Sequence, residues 1–140
     1  MIEIKFNRTK EFYSTMEEWG EQRGFPIPPK TFLPQTTVVA YDELGEPVYS
    51  VCLYKTDSDV AWIGWQLSNP IKDKEVRQKS FLIILEHIER FLEMQDYKHI
   101  ITTTGTPPVE VGLSASGYMK ADTNINQYIK NIRYGSSSSS

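Results

Sequence analysis

Residues 75–94 read EVRQKSFLIILEHIERFLEM and contain the clearest structural pattern of the chain. Large apolar side chains recur there every three or four positions, at Phe81, Ile84, Leu85, Ile88 and Leu92. This spacing places them along one face of an α-helix. Further apolar residues widen the stripe, namely Leu82, Ile83 and Phe91. The stretch therefore predicts a helix over 75–94 that is buried against a sheet.

Segments rich in β-branched and aromatic residues occur on both sides of this helix and predict strands. These predicted strands span residues 2–6, 36–41, 48–54, 60–67 and 98–104. Two further strands are predicted over 118–122 and 125–132, although the isoleucines of the second segment also fit a helix. Helical spacing predicts two more helices, over 10–23 and 106–117. The order of these elements predicts an α/β fold of the α+β, mixed-sheet kind, with helices on both faces.

The composition is that of an ordinary globular protein. A chain of 140 residues with 39% hydrophobic and 24% charged residues is typical of one domain with its own core. We expect this domain to span 1–132, followed by a flexible, serine-rich tail over 133–140. The net charge of −3 gives no general attraction to nucleic acid.

The sequence also indicates the compartment. No apolar run approaches the roughly 18 residues of a membrane span, and the N-terminus lacks the pattern of a signal peptide. Cys52 is the single cysteine, which excludes an internal disulfide and is typical of a reducing compartment. We therefore expect a cytoplasmic protein without a membrane partner. With only His87, His99 and Cys52 as nitrogen and sulfur ligands, we expect no metal site.

Basic and hydroxyl side chains lie near the start of the predicted long helix, at Arg77, Gln78, Lys79 and Ser80. Cations at a helix N-terminus are mildly unfavourable for the helix dipole, which is an argument for an anionic ligand there. Free backbone N–H groups at such an end bind phosphate. The alternative is a solvated first turn with ordinary surface charges.

Two tryptophans flank Gly64 in the strand predicted over 60–67. Trp62 and Trp65 face opposite sides of a regular strand, so the simplest interpretation places both in the core. A glycine inside a strand also indicates a bulge, and one of the two rings would then line a substrate groove. The segment 25–34 contains four prolines and is expected to be an irregular loop.

The order of elements over 1–132 resembles that of the GNAT family of N-acetyltransferases. Three local features carry the resemblance: the hairpin over 38–48, the strand and link over 62–77, and the segment 109–118. In the last of these, Ser116-Gly117-Tyr118 is similar to the Leu-Gly-Phe that ends the last helix of the family. The resemblance implies an acyl-CoA-dependent N-acetyltransferase with acetyl-CoA as its cofactor.

The resemblance also implies cofactor-binding residues. In the family, the pyrophosphate binds at a motif of Arg or Gln, two residues, Gly, one residue, and Gly or Ala. Here Arg77 occupies the first position, Ser80 replaces the first glycine, and Leu82 replaces the second small residue. The implied pyrophosphate site consists of Arg77, Gln78, Lys79 and Ser80, and the implied pantetheine site consists of Gln66, Leu67 and Ser68.

The residues for proton transfer depart from the family pattern. Many members have a tyrosine acid four residues before the glycine at position 117, and this chain has Leu113 there. Ser114 is the remaining candidate for a catalytic residue, and residues 62–67 contain no carboxylate for the base. Three hypotheses follow. The first is an N-acetyltransferase acting on an amine of a small molecule or a protein, and the second is an inactive protein of the same fold that binds and modulates a protein partner. The third is a structural or assembly subunit, for which the sequence offers no specific feature.

Overall fold

The computed structural model describes residues 1–104, 106–123 and 125–132, so the serine-rich tail predicted over 133–140 lies outside the described residues. The described residues form five strands, three α-helices and one short 3-10 turn. In chain order these are β1 (Glu3–Arg8), α1 (Thr9–Arg23), the 3-10 turn (Lys30–Phe32), β2 (Thr36–Tyr41), β3 (Pro47–Tyr54), β4 (Val60–Ser68), α2 (Lys74–Met94), β5 (His99–Thr102) and α3 (Pro107–Ala115).

The strands form one mixed sheet in the order β1-β2-β3-β4-β5. Each of the first four strands is antiparallel to the next. Short connections join β2 to β3 and β3 to β4, and α1 lies between β1 and β2 in the chain. β5 runs parallel to β4, which requires a crossover, and α2 supplies it. This arrangement confirms the predicted mixed sheet.

Alternate residues of the strands face two separate cores. On one face, Val38, Val51 and Ile63 pack against the apolar stripe of α2 and against α3. On the other face, Val39 and Cys52 pack against α1 through its buried residues Phe12, Met16 and Trp19. The helix predicted from residues 75–94 is therefore confirmed, together with its buried face.

The prediction of two last strands over 118–122 and 125–132 is wrong. Neither segment contains strand residues, and Ile125, Tyr128, Ile129 and Ile132 are all exposed. A strand needs a neighbouring strand to satisfy its backbone groups and cover its side chains. Within the described residues, neither segment has one.

None of the helices formed by the described residues is both long enough and apolar enough to cross a membrane.

Gly20 allows the chain to fold back on the end of α1. A Cβ atom at Gly20 would lie 2.7 Å from Ile27 Cγ1 and 2.9 Å from the carbonyl oxygen of Phe25. Alanine stabilises an open helix by about 1 kcal/mol relative to glycine, but overpacking costs about 1–3 kcal/mol. We therefore expect Gly20→Ala to lower the free energy of unfolding in urea titrations, and Ser14→Ala, at an exposed position of α1, to leave it nearly unchanged. A stabilised Gly20→Ala variant would contradict this packing.

Candidate functional site

β4 contains a bulge next to Gly64. Ser50 of β3 pairs with Leu67 and Cys52 pairs with Gly64, so Val51 faces two residues of β4, Trp65 and Gln66. Trp65 has a left-handed backbone with φ of 51°, a conformation that costs on the order of 1–3 kcal/mol for a residue with a side chain. Such strain is typically found at functional sites, and the bulge marks the point where β4 leaves its regular path.

The bulge coincides with the place where β4 and β5 separate. The two strands pair from Val60–His99 to Ile63–Thr102, and β4 then continues to Ser68 without β5 beside it. We call this gap the strand opening. Within the described residues, one side-chain hydrogen bond crosses it, which Gln66 Nε2 donates to Thr102 Oγ1 at 2.9 Å.

The pantetheine residues implied by the family resemblance lie along this opening. The side chain of Leu67 is buried against α1, so only its backbone is available to a ligand. The hydroxyl of Ser68 accepts a hydrogen bond from Arg23 Nη2 at 2.5 Å, and the Ser68 carbonyl accepts one from Arg23 Nε at 3.2 Å. Gln66 to Ser68 thus provide mainly backbone groups, and Ser68 fixes an arginine that the sequence did not identify.

Ser68 holds Arg23 at the end of β4, and Arg77 is near enough for its charge to affect Arg23. Arg23 is the last residue of α1, and Arg77 is the fourth residue of α2. Burial and the neighbouring charge of Arg77 lower the pKa of Arg23. Neither arginine forms an ion pair with a carboxylate in the described part of the chain. Like charges placed together without an acid create a site that favours an anion.

The surroundings of this arginine pair do not neutralise it. Tyr49 is close to both guanidinium groups, and burial raises the pKa of its phenol in spite of them, so it remains protonated. Arg77 Nε is buried without a hydrogen-bond partner within the described residues, as is the hydroxyl of Ser80 one turn further along α2. Buried polar atoms without partners are rare in proteins, so each marks a position where a further partner is expected. The arginine pair therefore fits an anionic group such as a phosphate.

The position at which α2 starts determines which backbone N–H groups are free to bind a pyrophosphate. The helix begins at Lys74, and the Arg77 N–H already donates to the carbonyl of Asp73 at 3.0 Å. The N–H groups of Gln78, Lys79 and Ser80 therefore belong to the interior of the helix, where they donate to carbonyls four residues earlier. These three N–H groups are therefore not free donors in this structure, and the assignment of Gln78, Lys79 and Ser80 to the cofactor site stays a prediction. Free N–H groups are those of residues 74–76, and Gln78 and Lys79 can contribute only exposed side chains.

Neither tryptophan lies in the core, so the simplest interpretation of Trp62 and Trp65 is wrong. Trp62 pairs with Tyr54 across β3 and β4, and Trp65 Nε1 donates to Tyr54 Oη at 3.0 Å. The bulge turns the second ring toward the same side as the first. Tyr54 Oη in turn donates to the carbonyl of Phe32, which places the proline-rich loop beside these rings.

The remaining candidates lie away from the strand opening or inside the core. Leu113 is buried against α2, so a side chain at this position serves packing. Ser114 is exposed on α3. Leu82 is exposed and lines a surface depression of about 370 Å3 between α2 and the end of α3, to which no residue of β4 or β5 contributes. Leu82 therefore borders the surface between α2 and α3.

Comparison with known proteins identifies the fold. No protein-family model and no curated protein matches the sequence. Among solved structures, a probable acetyltransferase is similar with a TM-score of 0.67 at 14% identity, over 94% of this chain and 98% of that one. A GNAT-family acetyltransferase from Staphylococcus aureus gives a TM-score of 0.66 at 10% identity, over 94% and 95% of the two chains.

A third similar structure is an aminoglycoside acetyltransferase from an uncultured soil metagenomic sample, in complex with sisomicin. Its TM-score is 0.64 at 11% identity, over 94% of this chain and 97% of that one. Identities this low establish the fold and leave the activity open. The chain has the fold of the GNAT acetyltransferases.

Proposed function

We propose that this protein is an acyl-CoA-dependent N-acetyltransferase of the cytoplasm, with residues 1–132 acting as one domain. The observation that carries the proposal is the unneutralised pair of Arg23 and Arg77 at the end of β4. Coenzyme A combines a phosphate-rich end with a long amide-containing arm. The arginine pair is suited to bind the phosphate-rich end. The edge of β4 that β5 leaves free is suited to hydrogen-bond the amide-containing arm.

Different residues would bind the two parts of coenzyme A. Arg23 and Arg77 would bind phosphate oxygens by charge-assisted hydrogen bonds, which are roughly twice as strong as neutral ones. The exposed side chains of Gln78 and Lys79 would border this site, and the buried Ser80 would lie beneath them. The backbone of Gln66, Leu67 and Ser68 would pair with the amide-containing arm along the edge that β5 leaves free. When bound, acetyl-CoA supplies the thioester from which the acetyl group is transferred.

The acceptor is an amine of a small molecule or of a protein. It would approach from the α1 side, where Trp62, Trp65 and the proline-rich loop surround the opening. Positioning of the amine against the thioester would supply much of the rate, since well-oriented reactants gain up to about 7–11 kcal/mol. Ser114, the candidate for proton transfer proposed from the sequence, is exposed on α3, and its test is whether Ser114→Ala changes the rate of transfer.

A second candidate function is supported by Leu113. Because this residue belongs to the core, the last helix supplies no acid at the place where many GNAT enzymes have one. A protein of this fold without catalysis would use its surface to bind and modulate a protein partner. Binding and turnover measurements separate the two candidates.

We expect acetyl-CoA to bind the full chain in calorimetric titrations and to raise its unfolding temperature. At a ligand concentration 100 times the Kd, the stabilisation is about 2.7 kcal/mol. Acetyl-pantetheine, which lacks the phosphate groups facing the arginines, is the matched control and should bind more weakly. Thiol release with a panel of diamines and aminoglycosides then tests transfer. Binding without transfer to any amine favours the second candidate, and no binding at millimolar acetyl-CoA contradicts the proposed function.

A further inference from the structure

Three aromatic side chains form an exposed surface beside the strand opening. Tyr54 of β3 pairs with Trp62 of β4, and Trp65 Nε1 donates a hydrogen bond to Tyr54 Oη at 3.0 Å. Trp62 and Trp65 remain 41% and 38% exposed, although indole rings are large apolar groups. We call Tyr54, Trp62 and Trp65 the aromatic surface.

The aromatic surface offers ring faces rather than charges. Tyr54 Oη accepts the hydrogen bond from Trp65 and donates one to the carbonyl of Phe32 at 3.0 Å, so these polar atoms are already paired. Burial raises the pKa of the Tyr54 phenol, which therefore stays protonated and neutral. None of the three side chains is a carboxylate, the group that a polycationic ligand needs.

The ring faces of the two tryptophans have no partner within the described residues. Three aromatic pairs and three contacts of lysine ammonium groups with rings occur in that part of the chain, and none includes Trp62 or Trp65. An aromatic face attracts a second ring or a cation. Both faces are therefore free for a ligand that carries such a group.

The backbone holds Trp65 in place before any ligand arrives. Its φ of 51° is a strained conformation for a residue with a side chain, and strain of this kind clusters at ligand sites. The hydrogen bonds from Trp65 to Tyr54 and from Tyr54 to Phe32 fix the ring further. A surface that is ordered in advance loses less entropy when a ligand binds.

The aromatic surface lies close to the point where β4 and β5 separate. The last pair between the two strands is Ile63 with Thr102. Trp62 precedes Ile63 directly and Trp65 follows it by two residues, so both lie within about 7 Å of it along the strand. A ring bound on this surface would therefore bring an amine on a short chain to the strand opening.

We propose that the acceptor is an arylalkylamine, an amine joined by a short chain to an aromatic ring, and that its ring stacks on Trp62 and Trp65. This inference rests on the proposed function and names its substrate class. The transfer converts a primary amine and a thioester into an amide and a free thiol. A C–N bond forms, the C–S bond breaks, and one proton passes from the amine nitrogen to the thiol.

Calorimetric titration of phenylethylamine into the full chain, with and without coenzyme A, tests this site. Cyclohexylethylamine has the same short chain and a ring of similar size without an aromatic face, so it is the matched ligand control. We expect phenylethylamine to bind about 2- to 12-fold more tightly than this control, the usual gain from aromatic pairing. We expect spermidine to bind more weakly than both. Equal affinity for the two ring-containing amines, or no binding of phenylethylamine, overturns the proposal.

Two variants locate the bound ring. Trp62→Ala removes one exposed ring, and Trp65→Gly removes the other while placing at φ of 51° the residue that tolerates this conformation. We expect both variants to remain folded in thermal unfolding and each to bind phenylethylamine at least about 5-fold more weakly, as stacking on an aromatic side chain predicts. Phe6→Ala, which removes a ring of β1 that is 38% exposed and contacts Phe91, is the control and should bind as the wild type does. Wild-type affinity in both tryptophan variants contradicts the proposal.

Thiol release from acetyl-CoA separates this inference from the proposed function. We expect a higher kcat/KM for phenylethylamine than for cyclohexylethylamine or spermidine, because the better-bound acceptor is also better positioned. Transfer to spermidine without a preference for phenylethylamine overturns the inference and leaves the proposed function intact. Binding of phenylethylamine that depends on the two tryptophans, without thiol release for any amine, supports the aromatic site and contradicts the proposed transfer.

Discussion

Replacing Phe81 by alanine should lower the free energy of unfolding by about 3–5 kcal/mol, the usual cost of deleting a buried phenylalanine. Phe81 is buried in the main core and stacks on Tyr49 with ring centroids 4.8 Å apart. It also fills the space beside Gly112, where a Cβ atom would lie 2.5 Å from its ring. The ring therefore joins α2, β3 and α3, and its loss leaves a cavity that none of the three can close alone.

Chemical denaturation and thermal unfolding measure this effect. For a domain of this size, the expected loss corresponds to roughly 10–20 °C in Tm. Leu82→Ala is the matched control, because Leu82 is the next residue of α2 and is 39% exposed. We expect it to change stability by less than about 1 kcal/mol. Equal effects of the two substitutions would contradict the packing of α2 described above.

The fold was largely predictable because its strongest elements carry their own periodicity. The apolar residues of α2 lie on one face only if the segment is a helix, and the β-branched segments of β2 and β3 favour strands. Residues 125–132 could not be assigned in the same way. Ile125, Ile129 and Ile132 are spaced four and three residues apart, which fits a helix, whereas the strand predicted there depends on a neighbouring strand elsewhere in the fold.

The site was predictable only in part. Arg77 was found through its place in a known motif, whereas Arg23 carries no local signal beyond its position before Gly24. Its proximity to Arg77 arises from packing between elements that are far apart in the sequence. The orientation of Trp65 was missed because a left-handed residue in a strand overrides the alternation on which the prediction rested.

Loss of both arginines should abolish measurable acetyl-CoA binding while leaving the protein folded. Each arginine contributes hydrogen bonds to a charged group, worth about 1.5–3 kcal/mol, so Arg23→Ala and Arg77→Ala should each weaken binding about 10- to 100-fold. Because neither arginine has an acidic partner in the described part of the chain, its removal also relieves repulsion. We therefore expect the ligand-free stability of Arg77→Ala to be unchanged or slightly increased. Arg23→Ala also loses the two hydrogen bonds to Ser68, so we expect a small loss of stability for that variant.

The direct measurement is calorimetric titration of acetyl-CoA into the wild-type chain, the single and double arginine variants, and Arg90→Ala. Arg90 is an exposed arginine of α2 that pairs with Glu86 and lies far along the helix from Arg77. We expect wild-type affinity for Arg90→Ala, a 10- to 100-fold loss for each single variant, and no detectable binding for the double variant. Equal affinity in all of these proteins would contradict the assignment of the arginine pair as the phosphate site.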